Sequence, residues 1–295
     1  MELAVSRHSS PTRAFLPYLR GFLLSYGIGV VVALQVMAVV EFLVDLPKEW
    51  VGMAASAIFG GPAFAAVPVA LSKGRASERL SLGGWLPNML AMLAFAGFGY
   101  FLAAELARSD VYWSLELAAD RAIPEIRPWI FCYLTVYFVY AIPLLHLDDE
   151  RLLAKLDVAQ VATLLLCYAI FVAFPVATSR DPVAVTDLTS FTLATVREFD
   201  PPWNCFPSTH CTICTIASLA VWRANRRTGL WLMGSTVLIC LSTLFTRQHY
   251  LLDVVAGVVL GGLVWWAVDR EVDGGRLVNA VAGVLERLNG KGDGQ

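Results

Sequence analysis

The chain has 295 residues, 57% of them hydrophobic and 16% charged, with a formal net charge of −2. A soluble domain carries nearer a quarter charged residues, and a near-neutral balance gives no electrostatic case for a nucleic-acid partner. The apolar residues gather in runs of about twenty, the length of helix that crosses a bilayer core, so the composition is that of an integral membrane protein.

In chain order, about eight spans are expected, over roughly 17–44, 51–71, 85–106, 129–146, 158–176, 208–224, 229–246 and 250–269. Lipid offers no partner to an unpaired amide, so these must be helices. The fold class is therefore an all-α, polytopic membrane helix bundle. Polar breaks divide the runs: Asp45-Leu46-Pro47-Lys48-Glu49, then Lys73-Gly74-Arg75, Asp148-Asp149-Glu150-Arg151 and Asn225-Arg226-Arg227-Thr228-Gly229. The first apolar run, from Phe22 to Val44, exceeds the apolar stretch of a cleavable signal and reads as a retained anchor.

Loop charge orients the bundle. With the N-terminus inside, fifteen of the 22 Lys and Arg residues fall in inner segments. Lys48, Arg108, Arg121, Arg127, Arg180, Arg197 and Arg247 fall outside. Both termini are then cytoplasmic, and His210 and His249 emerge together on the outer face, whether periplasmic, extracellular or lumenal. Residues 109–128 mix Val111, Tyr112, Trp113 and Leu117 with Asp120, Arg121, Glu125 and Arg127, which predicts a short interfacial helix and an extended link around Pro124 and Pro128. In the tail, Leu277, Val278, Val281, Val284, Leu285 and Leu288 share one helical face, the pattern of an amphipathic helix at the inner surface.

Chemistry concentrates in Cys205-Phe206-Pro207-Ser208-Thr209-His210 and in Arg247-Gln248-His249-Tyr250-Leu251-Leu252-Asp253. Ionisable groups otherwise sit near span ends, with none expected at mid-span. That pattern favours chemistry at one membrane face over coupled transport, which places such groups near the midplane. His249 and Asp253, four apart, share a helix face, so the carboxylate can fix one ring nitrogen and leave the other as nucleophile or base. Ser208 stands where a helix N-cap belongs, and free amides at such an end suit phosphate oxygens. A metal reading of Cys205, His210, Cys211 and Cys214 is weak. His210 and Cys214 share a face but Cys211 points elsewhere, and no second Cys/His cluster has ligand spacing. Neither a metal nor a cofactor is expected. The six cysteines lie mostly in apolar runs, which argues against a disulfide framework.

Phe206-Pro207-Ser208-Thr209-His210 resembles the second motif of the type-2 phosphatidic acid phosphatase superfamily, and His249-Tyr250-Leu251-Leu252-Asp253 resembles its third. The resemblance covers about residues 85–269. It divides the chain into an N-terminal segment with two additional spans (1–84), a six-helix catalytic core (85–269) and an amphipathic tail (270–295). Two departures stand out. Arg180-Asp181-Pro182 resembles the end of the family's Lys-x6-Arg-Pro motif, yet Ala173 holds the lysine's place. In Ser-Arg-x5-His, Ser242 is in register but Thr243 replaces the arginine. With Asp120, Pro124, Tyr133 and Pro143 upstream, the pattern is similar to the branch of inositol-phosphorylceramide synthases and sphingomyelin synthases.

The resemblance implies a phosphotransferase that moves a phosphate-containing headgroup from a phospholipid donor to a lipid or polyol alcohol. His249 would be the nucleophile, Asp253 the carboxylate that orients and charges it, His210 the proton donor and acceptor, and Ser208, Arg247 and Arg180 the phosphate-binding groups. Hydrolysis of a lipid phosphate or polyprenyl pyrophosphate is the alternative within that chemistry. A transporter or scramblase without turnover is the alternative outside it.

Overall fold

The computed structural model describes residues 82–136, 143, 147, 149–270 and 275–288. The two N-terminal spans expected at 17–44 and 51–71, half of the span expected at 129–146 and the end of the tail lie outside the described residues. Among those residues the protein is helical. Only two isolated bridges, Trp113–Val176 and Val176–Asn204, join extended segments.

Helix α1 runs over Leu82–Leu106, and the link after it carries the short helix α2, Ala118–Ala122. A turn at Arg127–Trp129 leads into α3, Ile130–Tyr133. The interfacial helix expected in 109–128 is thus a single turn. Helix α4, Glu150–Ala173, is capped by Asp149, whose carboxylate accepts from the Arg151 amide at 2.9 Å. This cap starts the helix well before the expected 158 and draws Asp157 inside the apolar element. There Asp157, Gln160 and Thr163 are buried along one face, so a carboxylate enters a span where none was expected.

Helix α5, Leu188–Phe199, was not anticipated. Its N-cap Asp187 and Ser190 form a reciprocal capping box. Helices α6 (Thr209–Ala224), α7 (Arg226–Phe245) and α8 (Leu251–Arg270) follow the expected bounds within a few residues. Asn225 ends α6 and caps α7, accepting from the Arg227 and Thr228 amides. The reversal is so tight that a Cβ on Gly229 would overlap the Trp222 backbone.

Helix α6 is the centre of the bundle, packed on α4, α7 and α8. Gly257 and Gly261 of α8 let it approach α6. A Cβ at either would sit 2.6 Å from the Ser208 carbonyl oxygen or 2.7 Å from that of Thr212. Small residues four apart are the usual means of bringing helices together in lipid.

Polarity is inverted relative to a soluble fold. Ser218 of α6 and Thr236 of α7 hydrogen-bond at 2.7 Å inside the bundle. Leu165, Leu166, Val237, Leu238, Val259 and Leu263 face outward. Water would penalise so extensive an exposed apolar surface, whereas lipid does not. Helices α4, α7 and α8 are each long and apolar enough to cross a membrane, and the protein is a membrane protein. Helix α9, Arg276–Leu288, lays Val278 and Ala282 against Leu152, Leu153, Val221 and Trp265. At the same end Asp269 pairs with Lys155 at 3.2 Å and Arg223 at 3.5 Å. The histidines lie toward the other end, about 30 Å away along α8.

Candidate active site

Two chain reversals meet at that far end. Ser208 is fully buried and caps α6, its Oγ accepting from the Cys211 amide at 3.5 Å. The Thr209 and His210 amides precede the first helical hydrogen bond and have no acceptor within the helix. The Ser208 amide donates to the Asp253 carbonyl oxygen at 3.0 Å, joining the start of α6 to the start of α8.

The second reversal closes α7. The Gln248 and His249 amides both return to the Thr243 carbonyl oxygen, at 2.9 and 3.2 Å. Arg247 takes a φ of 55°, the left-handed conformation common just past a helix end. Its guanidinium donates to the carbonyl oxygens of Asp120, at 3.1 Å, and Ile123. Asp120 is buried and its carboxylate accepts from the Leu251 amide at 2.8 Å. The link at 109–128 therefore clamps the beginning of α8. Asp253 caps that helix from within, accepting from the Tyr250 amide at 2.8 Å.

These reversals bring His210, His249, Asp253 and Ser208 together. The two imidazole centroids are 5.7 Å apart with planes at 63°. Asp253 Oδ2 lies 3.5 Å from His249 Nδ1, and Asp253 is fully buried. The carboxylate thus takes the Nδ1 side of His249 and leaves Nε2 turned away from it. Tyr133 Oη is 2.9 Å from His210 Nε2, with ring centroids 4.8 Å apart. His210 Nδ1 is buried without a hydrogen-bond partner.

Arg180 reaches the same neighbourhood but is matched by an acid. Its Nη1 donates to the Asp200 carbonyl oxygen at 2.8 Å, Nη2 to Asp200 Oδ2 at 3.1 Å and Nε to Thr178 Oγ1 at 3.1 Å. The Arg180 side chain is only 8% exposed. Tyr100 Oη donates to the other oxygen of Asp200 at 2.5 Å. Both charges of this pair act on His210 through space.

Of the six residues expected in the site, four converge. Arg180 stands beside them inside an ion pair, and Arg247 is committed to the backbone of the 109–128 link. Asp200 and Tyr100 were missed, because they lie outside every motif and meet Arg180 only through the fold. Gln248 was passed over between two residues of interest. It is fully buried, and neither end of its amide has a hydrogen-bond partner.

The metal reading changes its members. Cys211 and Cys214 sit in apolar clusters with Cys240 and Ile239 respectively. Instead, Cys205 Sγ, a ring nitrogen of His249 and a carboxylate oxygen of Asp253 lie within 4.8 Å of one another. Burial pushes the Cys205 thiol up to about 12, with the nearby Arg180 charge acting in the opposite direction, so it is a neutral thiol at physiological pH. All six cysteines are free.

No curated protein and no solved structure matches the chain. The family model described as PAP2 superfamily matches residues 113–267. That range is more than half of the chain and contains Tyr133, Arg180, Asp200, Ser208, both histidines and Asp253. The chain belongs to the PAP2 superfamily, the type-2 phosphatidic acid phosphatases, and is a membrane enzyme of the phosphatase or phosphotransferase type acting on lipid phosphates.

Proposed function

We propose that the protein transfers a phosphate-containing headgroup from a phospholipid donor to an alcohol acceptor through a phosphohistidine, without a metal. The observation that carries this reading is the His249–Asp253 pair facing His210 across 5.7 Å. His249 Nε2 attacks phosphorus while Asp253 stabilises the imidazolium through the Nδ1 edge. The P–O bond to the diacylglycerol or equivalent alcohol breaks as His210 Nδ1 protonates that oxygen. The acceptor hydroxyl then gives its proton back to His210 Nδ1 and attacks phosphorus, releasing His249. Tyr133 holds the Nε2 edge of His210 through both steps, so that Nδ1 is the atom that exchanges protons. Ser208 and the first amides of α6 bind the non-bridging oxygens, as preorganised donors do for developing charge.

A diester donor is favoured over a monoester by the state of the arginines. Arg180 is neutralised by Asp200, and Arg247 is held by two carbonyl oxygens. A dianionic monoester would need more uncompensated positive charge than this pocket supplies. The same economy of cations, with Asp120 and Tyr133 in structural contact with the third motif and His210, supports the inositol-phosphorylceramide and sphingomyelin synthase branch. In this reading residues 85–269 are the catalytic core, residues 1–84 are an addition to it, both termini are cytoplasmic and the pocket opens on the outer face.

Purified protein given a panel of labelled glycerophospholipids, with and without a ceramide or diacylglycerol acceptor, tests the proposal. The expected result is acceptor-dependent appearance of the exchanged headgroup. Free phosphate released from monoester or pyrophosphate lipids, with no transfer, would replace this reading with a phosphatase.

A further inference from the structure

The site contains a group that the proposed chemistry does not use. Cys205 is buried in the segment between α5 and α6, and its Sγ lies 3.0 Å from the Pro202 carbonyl oxygen and, more distantly, near Thr178 Oγ1 and the Gln248 carbonyl oxygen. We propose that Cys205, His249 and Asp253 form an inhibitory site for a thiophilic divalent cation of the zinc class.

Three observations support it. The donor atoms lie within 4.8 Å of one another, close enough for modest side-chain rotation to bring them onto one ion at bond lengths of about 2.0–2.3 Å. The His249 Nδ1 to Asp253 Oδ2 separation of 3.5 Å is long for a hydrogen bond. It is close to the spacing of two ligands around a tetrahedral ion. Finally, His249 Nδ1 and Asp253 Oδ1 are both buried without hydrogen-bond partners, and these side chains are at most 5% exposed.

Charge and softness narrow the ion. A thiolate and a carboxylate together cancel a divalent charge, which a buried site requires. A sulfur, a nitrogen and an oxygen donor suit zinc, cobalt or cadmium, whereas magnesium and calcium prefer oxygen shells. On binding, the Cys205 thiol loses its proton to solvent, Sγ and Asp253 take the ion, and Nδ1 of His249 donates its lone pair. The ring proton must then sit on Nε2. That proton occupies the lone pair that attacks phosphorus, so the ion blocks the nucleophile without covering the pocket. The inhibitory half of this inference rests on the proposed role of His249; the binding half does not.

The test uses the full chain in detergent. Cobalt(II) is titrated in without substrate, and the sulfur-to-cobalt charge-transfer band in the near ultraviolet is followed. The expected result is a band saturating at one cobalt per chain, displaced by zinc, retained in Cys211→Ser and lost in Cys205→Ser. Zinc should inhibit turnover of the wild type, and its inhibition constant should rise at least about tenfold in Cys205→Ser, which keeps its turnover in chelator. Should Cys205→Ser fail to fold, the titration is repeated on Asp253→Asn, where loss of the balancing charge should weaken cobalt binding by a similar factor. No band in the wild type, or a band that survives in Cys205→Ser, overturns the site. A wild-type band with turnover indifferent to zinc overturns the inhibitory role and counts against His249 as nucleophile, while the site stands. Zinc that raises turnover in chelator-treated protein overturns inhibition outright.

Discussion

At the scale of residues, the two histidines are distinguished by their partners. His249 has a carboxylate on its Nδ1 side, and His210 has a phenol on Nε2. General acid catalysis is worth about 10²–10⁴-fold, so His210→Ala should lose that much with a lipid donor. It should recover much of the first step with a nitrophenyl phosphodiester, whose leaving group needs no proton; burst amplitude measures this. Tyr133→Phe removes one hydrogen bond, about 1 kcal/mol, and should lower kcat about fivefold with little change in KM. A larger effect on KM than on kcat would make Tyr133 a substrate contact. Asp200→Asn frees the Arg180 charge, and should raise the ratio of monoester to diester turnover. An unchanged ratio would remove the charge argument for a diester donor. None of Asp200, Tyr100 or the destination of Arg247 was legible in the sequence, because an arginine's partners are set by tertiary contacts. The histidines and Asp253 were legible, since polar groups at the ends of apolar runs have few structural reasons to be there.

At the scale of elements, the site depends on how closely α8 approaches α6. Gly257 lies against the Ser208 carbonyl oxygen, one residue before the helix that carries His210. Gly257→Ala should cost about 1–3 kcal/mol as overpacking and should lower activity by displacing Ser208. Gly262→Ala, where a Cβ meets nothing within 4 Å, should leave both unchanged. Thermal unfolding in detergent and turnover on the same samples compare the two. Equal effects would mean that the close approach is not what positions the site. The long apolar helices were readable from their runs. The start of α4 lies before the expected 158 because Asp149, part of a polar break in the sequence, is the helix cap itself. Helix α5 went unread for a related reason. Its Asp187–Ser190 capping box is present in the sequence, but twelve residues of mixed polarity do not announce a helix by hydrophobicity alone.

At the scale of the molecule, an inverted polarity, three apolar helices long enough to span among the described residues and a match over residues 113–267 describe a membrane enzyme of the PAP2 superfamily. The proposed orientation predicts that a cysteine placed at Ser109 of the link reacts with an impermeant thiol reagent added outside intact cells, and one placed at Asn225 does not. The reverse labelling would invert the bundle. Turnover should persist in EDTA, since every proposed step uses a side chain or an amide; loss restored by magnesium would contradict that. The central claim is that His249 bonds to phosphorus. Its most direct measurement is a rapid alkaline quench of protein mixed with a donor labelled at phosphorus, followed by mapping of the acid-labile adduct. The account predicts label on His249, none in His249→Ala, and accumulation in His210→Ala with the activated donor. Label that survives in His249→Ala and vanishes in His210→Ala would reverse the two roles, and no label in any of the three proteins would mean direct attack by the acceptor.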